Sequence, residues 1–302
     1  LNLLLLAADK NIDIIKDKLK RQVETFVNEG VVLEEEVESK DGLDFLKYSV
    51  KIESIKNYPI SDFINIFKFC VANALWDYIQ LYEEPHLIRK IIEQEYYYFD
   101  IRERIEIERN TLQILNEEGK LLDFNENITR KNKIISSIIA YLNNDFQLNL
   151  KGFLTFRLKD YSLELEETVE KAVEDFLLDK EYNEFIKLLK YFVDIQDSKI
   201  ETIHIILEAD GKYTLYDNNN SLIDNDYIKD IASEISENNF LTYDDLLISS
   251  LITIAPKFVY IHQSNTIKRS DVIKTITKVF ANRVKICNGC DWCKVNAHYH
   301  QD

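Results

Sequence analysis

The sequence predicts a predominantly helical α+β protein, a helical middle region flanked by small mixed α/β units at both ends. Three observations carry that expectation. Gly and Pro number only 6 and 3 in 302 residues, and both residues break helices. Apolar side chains recur at three- and four-residue spacing through much of 59–197. Short β-branched or alternating runs surround the Asp-Gly turn signals at Asp41-Gly42 and Asp210-Gly211, near the two ends. With 46% apolar and 30% charged residues, the chain has enough apolar surface for packed cores and is not of disordered composition. The changes of character fall at 1–58, 59–197 and 198–302.

The elements follow in order. Asn2 to Ala7 reads as a short apolar strand. Asp9 stands where a cap would open a helix with the stripe Ile12, Ile15, Leu19, Val23, Phe26 and Val27, and Gly30 closes it. Val31–Glu38 and Leu43–Glu53 form a hairpin about Asp41-Gly42. A stripe from Ile60 through Phe63, Ile64, Phe67, Val71, Ala74, Leu75 and Tyr78 to Tyr82 predicts a long helix. Cys70 lies beside that stripe and reads as a small core residue. Pro85 fits the first position of the next helix, which runs through Leu87, Ile91, Tyr98, Ile105, Leu112 and Leu115 to Gly119. Ile135, Ile138, Ile139, Leu142 and Phe146 mark another. Residues 150–161 fit either period: Leu150, Leu154, Phe156 and Leu158 alternate, while Phe153, Arg157 and Tyr161 share a helical face.

Two helices come next, one carrying Leu165, Val169, Ala172, Val173, Phe176 and Leu177, the other Phe185, Leu188, Leu189 and Phe192. Thr202–Glu208 and Lys212–Asp217 then read as a hairpin, followed by a polar loop at Asn218, Asn219 and Asn220. Helices are expected over 226–237 and 243–254, the second opened by Thr242 with Asp245 and stopped at Pro256. Phe258–His262, Asp271–Phe280 and Val284–Cys287 read as strand, helix and strand, a parallel βαβ unit.

Charge and hydropathy limit the function classes. Net charge is −16, which disfavours broad binding to nucleic acid or anionic membranes. Residues 256–294 carry eight basic side chains against two acidic ones. That segment packs against the protein's own acidic surface, stays solvated, or docks an acidic partner; in the last case Lys268, Arg269, Lys274, Lys278 and Arg283 are the contact residues. The N-terminal apolar run Leu3–Ala8 is shorter than a signal-peptide core, and no stretch approaches the ~20 apolar residues of a membrane span. Cytoplasmic residence is therefore the expectation. No Walker, Rossmann, G-x-S-x-G or H-E-x-x-H pattern is present, and no catalytic residue is assigned.

The chemistry concentrates in the last sixteen residues. Cys287, Cys290 and Cys293 form a C-x2-C-x2-C run, with His298 and His300 just beyond. In a reducing compartment such a run reads as ligands rather than a disulfide framework. Zinc wants four Cys or His ligands, which three cysteines and His298 or His300 supply. An iron–sulfur cluster ranks behind zinc, because the usual ferredoxin spacing puts a fourth Cys where Ala297 stands. A redox pair and plain reduced thiols are the remaining readings. His262, at a strand end before a polar loop, reads as structural, or as an acid/base group if the chain is a metal- or thiol-dependent enzyme.

Two stretches resemble a known family: GFLTFRLKDY with EKAVEDFLLDKEYNEFIKLLKYFVDIQ in 152–196, and LTYDDLLISSLITIAPKFVYIH through the closing C-x2-C in 241–293. They are similar to the YtxC-like family, described as sporulation proteins of endospore-forming Firmicutes. The resemblance implies a cytoplasmic protein with a role connected to sporulation, and supplies no activity and no catalytic residues. The combined expectation is a non-enzymatic interaction protein with a metal-stabilised C-terminal tail and an unidentified protein partner. The alternatives are the enzyme above and a nucleic-acid-binding regulator using 256–294.

Overall fold

Strand β1 (Asn2–Ala8) is apolar along nearly its whole length, and Leu3, Leu4, Leu6, Ala7 and Ala8 are all buried. A strand with no polar face must be covered on both sides, and that requirement organises the first half of the chain. The computed structural model describes residues 1–117, 125–207, 213–223, 242–263, 270–287, 289–290 and 293. It divides into two units, Leu1–Leu177 and Leu178–Asp302.

In the first unit β1 pairs antiparallel with β3 (Leu43–Val50), with Leu6 opposite Leu46, and β3 pairs antiparallel with β2 (Leu33–Lys40). Lys40 faces Leu43, and Asp41 and Gly42 between them take φ of 53° and 77°, as a two-residue type I′ turn requires. Strand β2 is the edge, and its glutamates engage Lys16, Lys47 and Lys51 at 2.9–3.2 Å. Such exposed pairs add little stability, but a charged edge resists pairing with another sheet. The fourth strand, β4 (Gln147–Asn149), joins β1 in parallel with Leu148 opposite Leu6, giving the order β2-β3-β1-β4. Three residues leave no periodic signal, so nothing in the sequence announces this strand.

Helix α1 (Ile12–Asn28) buries Ile12, Ile15, Leu19, Val23 and Phe26 as its stripe predicts, while Val27 is exposed. Its N-cap is Asn11 in the left-handed conformation, not Asp9, which instead pairs with Lys151. Asparagine tolerates that conformation, so the helix is capped two residues later than expected. At the other end the Gly30 N–H bonds the Val27 carbonyl and the Val31 N–H bonds the Phe26 carbonyl, both at 3.0 Å, with Gly30 at φ +87°. This is a Schellman termination, closed by buried Phe26 and Val31.

Helix α2 (Ile60–Tyr78) runs without a stop through a π-helical turn, Ile79–Glu83, into α3 (Glu84–Glu95). The turn accommodates Pro85, which has no N–H to give the ladder. Its wider winding also rotates the residues within and beyond it, so Tyr82 falls off the buried stripe. Just beyond it, buried Glu84 accepts from the Tyr161 hydroxyl and lies 3.8 Å from Arg130, whose guanidinium sits over Trp76. Burial raises the Glu84 carboxyl above its usual range, while Arg130 and Tyr161 oppose that rise.

The single helix expected from Pro85 to Gly119 is two. Helix α4 (Ile101–Glu117) starts anew because Asp100 Oδ1 accepts from the Arg102 and Glu103 N–H groups while Glu103 Oε2 accepts from the Asp100 N–H. This capping box is hidden in the sequence by the surrounding charge. Gly119 lies outside the described residues. Helix α5 (Asn125–Asn144) buries Ile134, Ile135, Ile138 and Leu142, and Phe146 stands outside it, exposed. The ambiguous stretch resolves as helix: α6 (Leu150–Arg157) opens with the Asn149 side chain accepting from the Gly152 N–H at 2.8 Å.

Two helices were expected over 165–192, yet α7 (Lys159–Ile195) is continuous. No Gly or Pro and no cap interrupts it. Its Leu165, Val169, Ala172, Val173 and Phe176 belong to the first core, and Ile186 and Val193 to the second. Phe185, Leu188 and Phe192 are exposed.

In the second unit β5 (Thr202–Leu207) and β6 (Tyr213–Asp217) form the expected antiparallel pair; the turn at Asp210-Gly211 lies outside the described residues, as does the helix expected over 226–237. Helix α8 (Tyr243–Ile254) opens with the reciprocal Thr242–Asp245 capping box. Strand β7 (Phe258–Gln263), helix α9 (Ser270–Phe280) and strand β8 (Val284–Cys287) make the parallel unit, and the sheet order is β6-β5-β7-β8. Ile203, Ile205, Val259 and Ile261 share the core with Leu247 and Leu251 of α8 and Val272, Ile276 and Val279 of α9. Among the described residues no helix is long and apolar enough to cross a membrane.

The helix ends give a stability test. Gly30 has open space where a Cβ would stand, so Gly30→Ala meets only the strain of a positive φ and should cost about 1 kcal/mol. Gly152 is helical, and its added Cβ would meet Asn149 Oδ1 at 3.4 Å, an ordinary contact; Gly152→Ala should gain about 0.5 kcal/mol. Urea midpoints at unchanged slope report both, and a shared sign would contradict these backbone assignments.

Candidate metal centre

Period-two alternation sets the site. Ile203, Ile205, Val259 and Ile261 point into the second core, so His204, Tyr260 and His262 stand on the opposite face of the sheet. The parallel register of β7 and β8 then puts His262 directly beside Cys287, the last residue of its strand. After β8 the chain turns through Gly289 at φ +119°, and the Gly289 N–H reaches Cys287 Sγ at 3.4 Å. That turn brings Cys290 and Cys293 back over the strand ends.

The four side chains converge. His262 Nδ1 is 3.5 Å from both Cys290 Sγ and Cys293 Sγ. The sulfurs of Cys290 and Cys293 are 3.7 Å apart, and those of Cys293 and Cys287 are 3.8 Å apart. All four ligand atoms lie within 4.8 Å of one another. With Zn–S near 2.3 Å and Zn–N near 2.0–2.1 Å, a tetrahedron spaces its sulfurs about 3.8 Å apart and a nitrogen about 3.5 Å from each sulfur. The group has the dimensions of a set that could hold one tetrahedral ion.

The surroundings orient the imidazole. His262 is buried, and its Nε2 lies 3.0 Å from His204 Nδ1. With Nε2 carrying the proton and His204 accepting, His262 Nδ1 keeps its lone pair toward the sulfurs. The His204 ring stacks on Tyr260 and on His262, each at 5.2 Å between centroids. Burial lowers the pKa of His262, and the neighbouring His204 lowers it further. Burial also lowers His204, against the opposing pull of Asp217. Both shifts favour the neutral imidazole that ligates metal. Burial pushes the Cys293 thiol up to about 11, with the neighbouring thiols adding to the rise and a hydrogen bond from the Cys290 backbone opposing it. A bound cation reverses that direction, because it stabilises the thiolate outright.

The expected ligands are partly those brought together. Cys287, Cys290 and Cys293 converge; His298 and His300 lie outside the described residues. His262, read from the sequence as structural, takes the fourth corner. The signal for it was present: a parallel βαβ over Phe258–Cys287 sets the two strand ends side by side. Cys70 is in the first core, donating from Sγ to the Gln22 carbonyl at 3.4 Å.

The basic segment is largely engaged with its own unit. Lys274 pairs with Asp271 at 3.1 Å and Arg283 with Asp194 at 2.9 Å. Lys278 sits 4.5 Å over the Tyr182 ring. Lys268 and Arg269 lie outside the described residues.

Comparison with known proteins gives one consistent direction. A profile of the YtxC-like family matches residues 69–285, a span that takes in His204 and His262 and stops just short of Cys287. The chain is 26% identical over 210 residues to a Bacillus subtilis (strain 168) protein named Uncharacterized protein YtxC, covering 69% of this chain and 73% of that one. No solved structure matches.

A ligand and its orienting partner should differ in effect. His204→Ala keeps all four donors and should weaken metal binding 10–100-fold. His262→Ala removes a donor and should weaken it further. Cobalt titrations followed by the visible absorption of Co²⁺–thiolate centres measure both; equal affinity in wild type and His262→Ala would remove His262 from the site.

Proposed function

The chain belongs to the YtxC-like family, and from that premise we propose a cytoplasmic, sporulation-associated interaction protein whose C-terminal segment is held in shape by one zinc ion. The observation that carries the zinc reading is the convergence of His262 Nδ1 and the three sulfurs within 4.8 Å, four of their separations being 3.5–3.8 Å. Three thiolates and an imidazole are soft and borderline donors, the set zinc takes in structural sites. A four-iron cluster binds one thiolate per iron, which spreads the sulfurs around a cube rather than onto a single point.

The donor count favours a structural role over a catalytic one. Catalytic zinc keeps a coordination position for water or substrate, whereas four protein ligands close the sphere. Zinc here joins the end of β7 to the cysteines at and beyond the end of β8, so binding energy becomes folding energy for that knuckle. The sporulation role rests on the family resemblance, and the non-enzymatic reading on the closed ligand set.

Purified protein should contain about one zinc per chain, and Cys290→Ser should lose most of it. Chelation should expose the segment after β8 to proteases and thiol reagents while far-UV circular dichroism changes little. Protein free of zinc and iron whose three terminal thiols react freely would end the metal reading; global unfolding on chelation would end the local one. Deleting the gene in a spore-forming host should lower heat-resistant spore counts without slowing vegetative growth, and unchanged counts would remove the sporulation role.

A further inference from the structure

We propose that the outward face of α7 between Leu178 and Ile195 is a self-association surface whose occupant is a second copy of this chain. The opposite side of this stretch is spoken for: Ile186 and Val193 are buried in the second core, with Tyr182 and Leu189 packed against it. A second apolar set remains uncovered. Leu178, Phe185, Leu188, Tyr191, Phe192 and Ile195 are exposed at 64%, 54%, 51%, 60%, 42% and 59%. Single exposed apolar residues need no explanation, but six on one helix face do.

The spacing is that of a helix-pairing seam. Leu178, Phe185 and Phe192 recur every seven residues, and Leu188 and Ile195 fall three residues after the second and third of them. These are the a and d positions of a heptad, sustained over 18 residues from Leu178 to Ile195, about 27 Å of helix. Such a face complements its own copy, because knobs and holes alternate along one surface and a two-fold axis sets residue i against j and j against i.

The area agrees with that occupant. With roughly 200 Å² in each large side chain, the six exposures leave on the order of 600 Å² per copy. A pair would then bury roughly 1,200 Å², at the lower bound for a stable interface. The chain carries −16 overall, and Leu178–Ile195 holds three lysines against four carboxylates. Per residue that is the chain's own average charge density, so repulsion between copies opposes pairing at low salt. Glu181 occupies the one polar d position. It would face its own copy in a parallel pair, so the antiparallel arrangement is favoured.

The test is sedimentation equilibrium of the full chain from 1 to 100 µM in zinc-containing buffer. Wild type should approach twice the 35.7 kDa chain mass, and association should tighten from low to high salt as carboxylate repulsion is screened. Phe185→Glu with Leu188→Glu should weaken association at least 100-fold with unchanged far-UV circular dichroism. Should that pair fail to fold, Leu188→Gln alone should still weaken association about tenfold. Leu163→Glu, at an exposed position earlier on the same helix, should have no effect. A wild type monomeric at 100 µM, a charged double variant that still dimerises, or association that weakens with salt would each overturn the assignment.

Discussion

The register of two parallel strands is the constraint on which the candidate centre depends. In a strand the side-chain period is two, so Val259 and Ile261 cannot enter the core without sending Tyr260 and His262 to the other face. A one-residue slip of β7 would carry its aliphatic pair out of the core and set Ile261 on the face where the sulfurs gather. The hydrophobic burial of Val259, Ile261, Ile203 and Ile205 thus holds His262 beside Cys287. The site's geometry is a by-product of packing on the far side of the same sheet.

A comparable dependence runs through the first unit. Strand β1 has no solvent face, so its neighbours must cover it, and the helices that share its core bring Glu84, Arg130 and Tyr161 together out of water. The π-helical turn before Glu84 sets the rotation at which α3 leaves α2. A straight α-helix would keep Tyr82 on the buried stripe and turn Glu84 by most of a quarter-turn. Burying a carboxylate is costly without partners, and here a hydroxyl and a guanidinium accompany it.

Much of this was legible in the sequence where a signal is local. The bounds 243–254 of α8 and Val284–Cys287 of β8 agree with expectation, because a capping box, a stopping proline and β-branched runs mark them. The Asp41-Gly42 turn and the Gly30 stop are local in the same sense. What escaped depends on partners far along the chain or on a competing local pattern. Strand β4 is three residues long and exists only because β1 offers an edge. Asp100 and Glu103 look like ordinary helix-surface charges until the backbone bends to meet them. The cysteines announced the centre, but His262 is 25 residues from Cys287, and only the tertiary pairing joins them.

That separation has a temporal consequence. A knuckle whose donors are neighbours in the sequence can seize its ion as soon as it leaves the ribosome. Here one candidate donor belongs to β7, one ends β8 and two follow it, so the four cannot gather until the intervening α9 has crossed over and both strands have paired. During synthesis the thiols emerge after the imidazole they must meet. Capture of an ion at this group would therefore follow the folding of the sheet, a seal set on strands that have already paired.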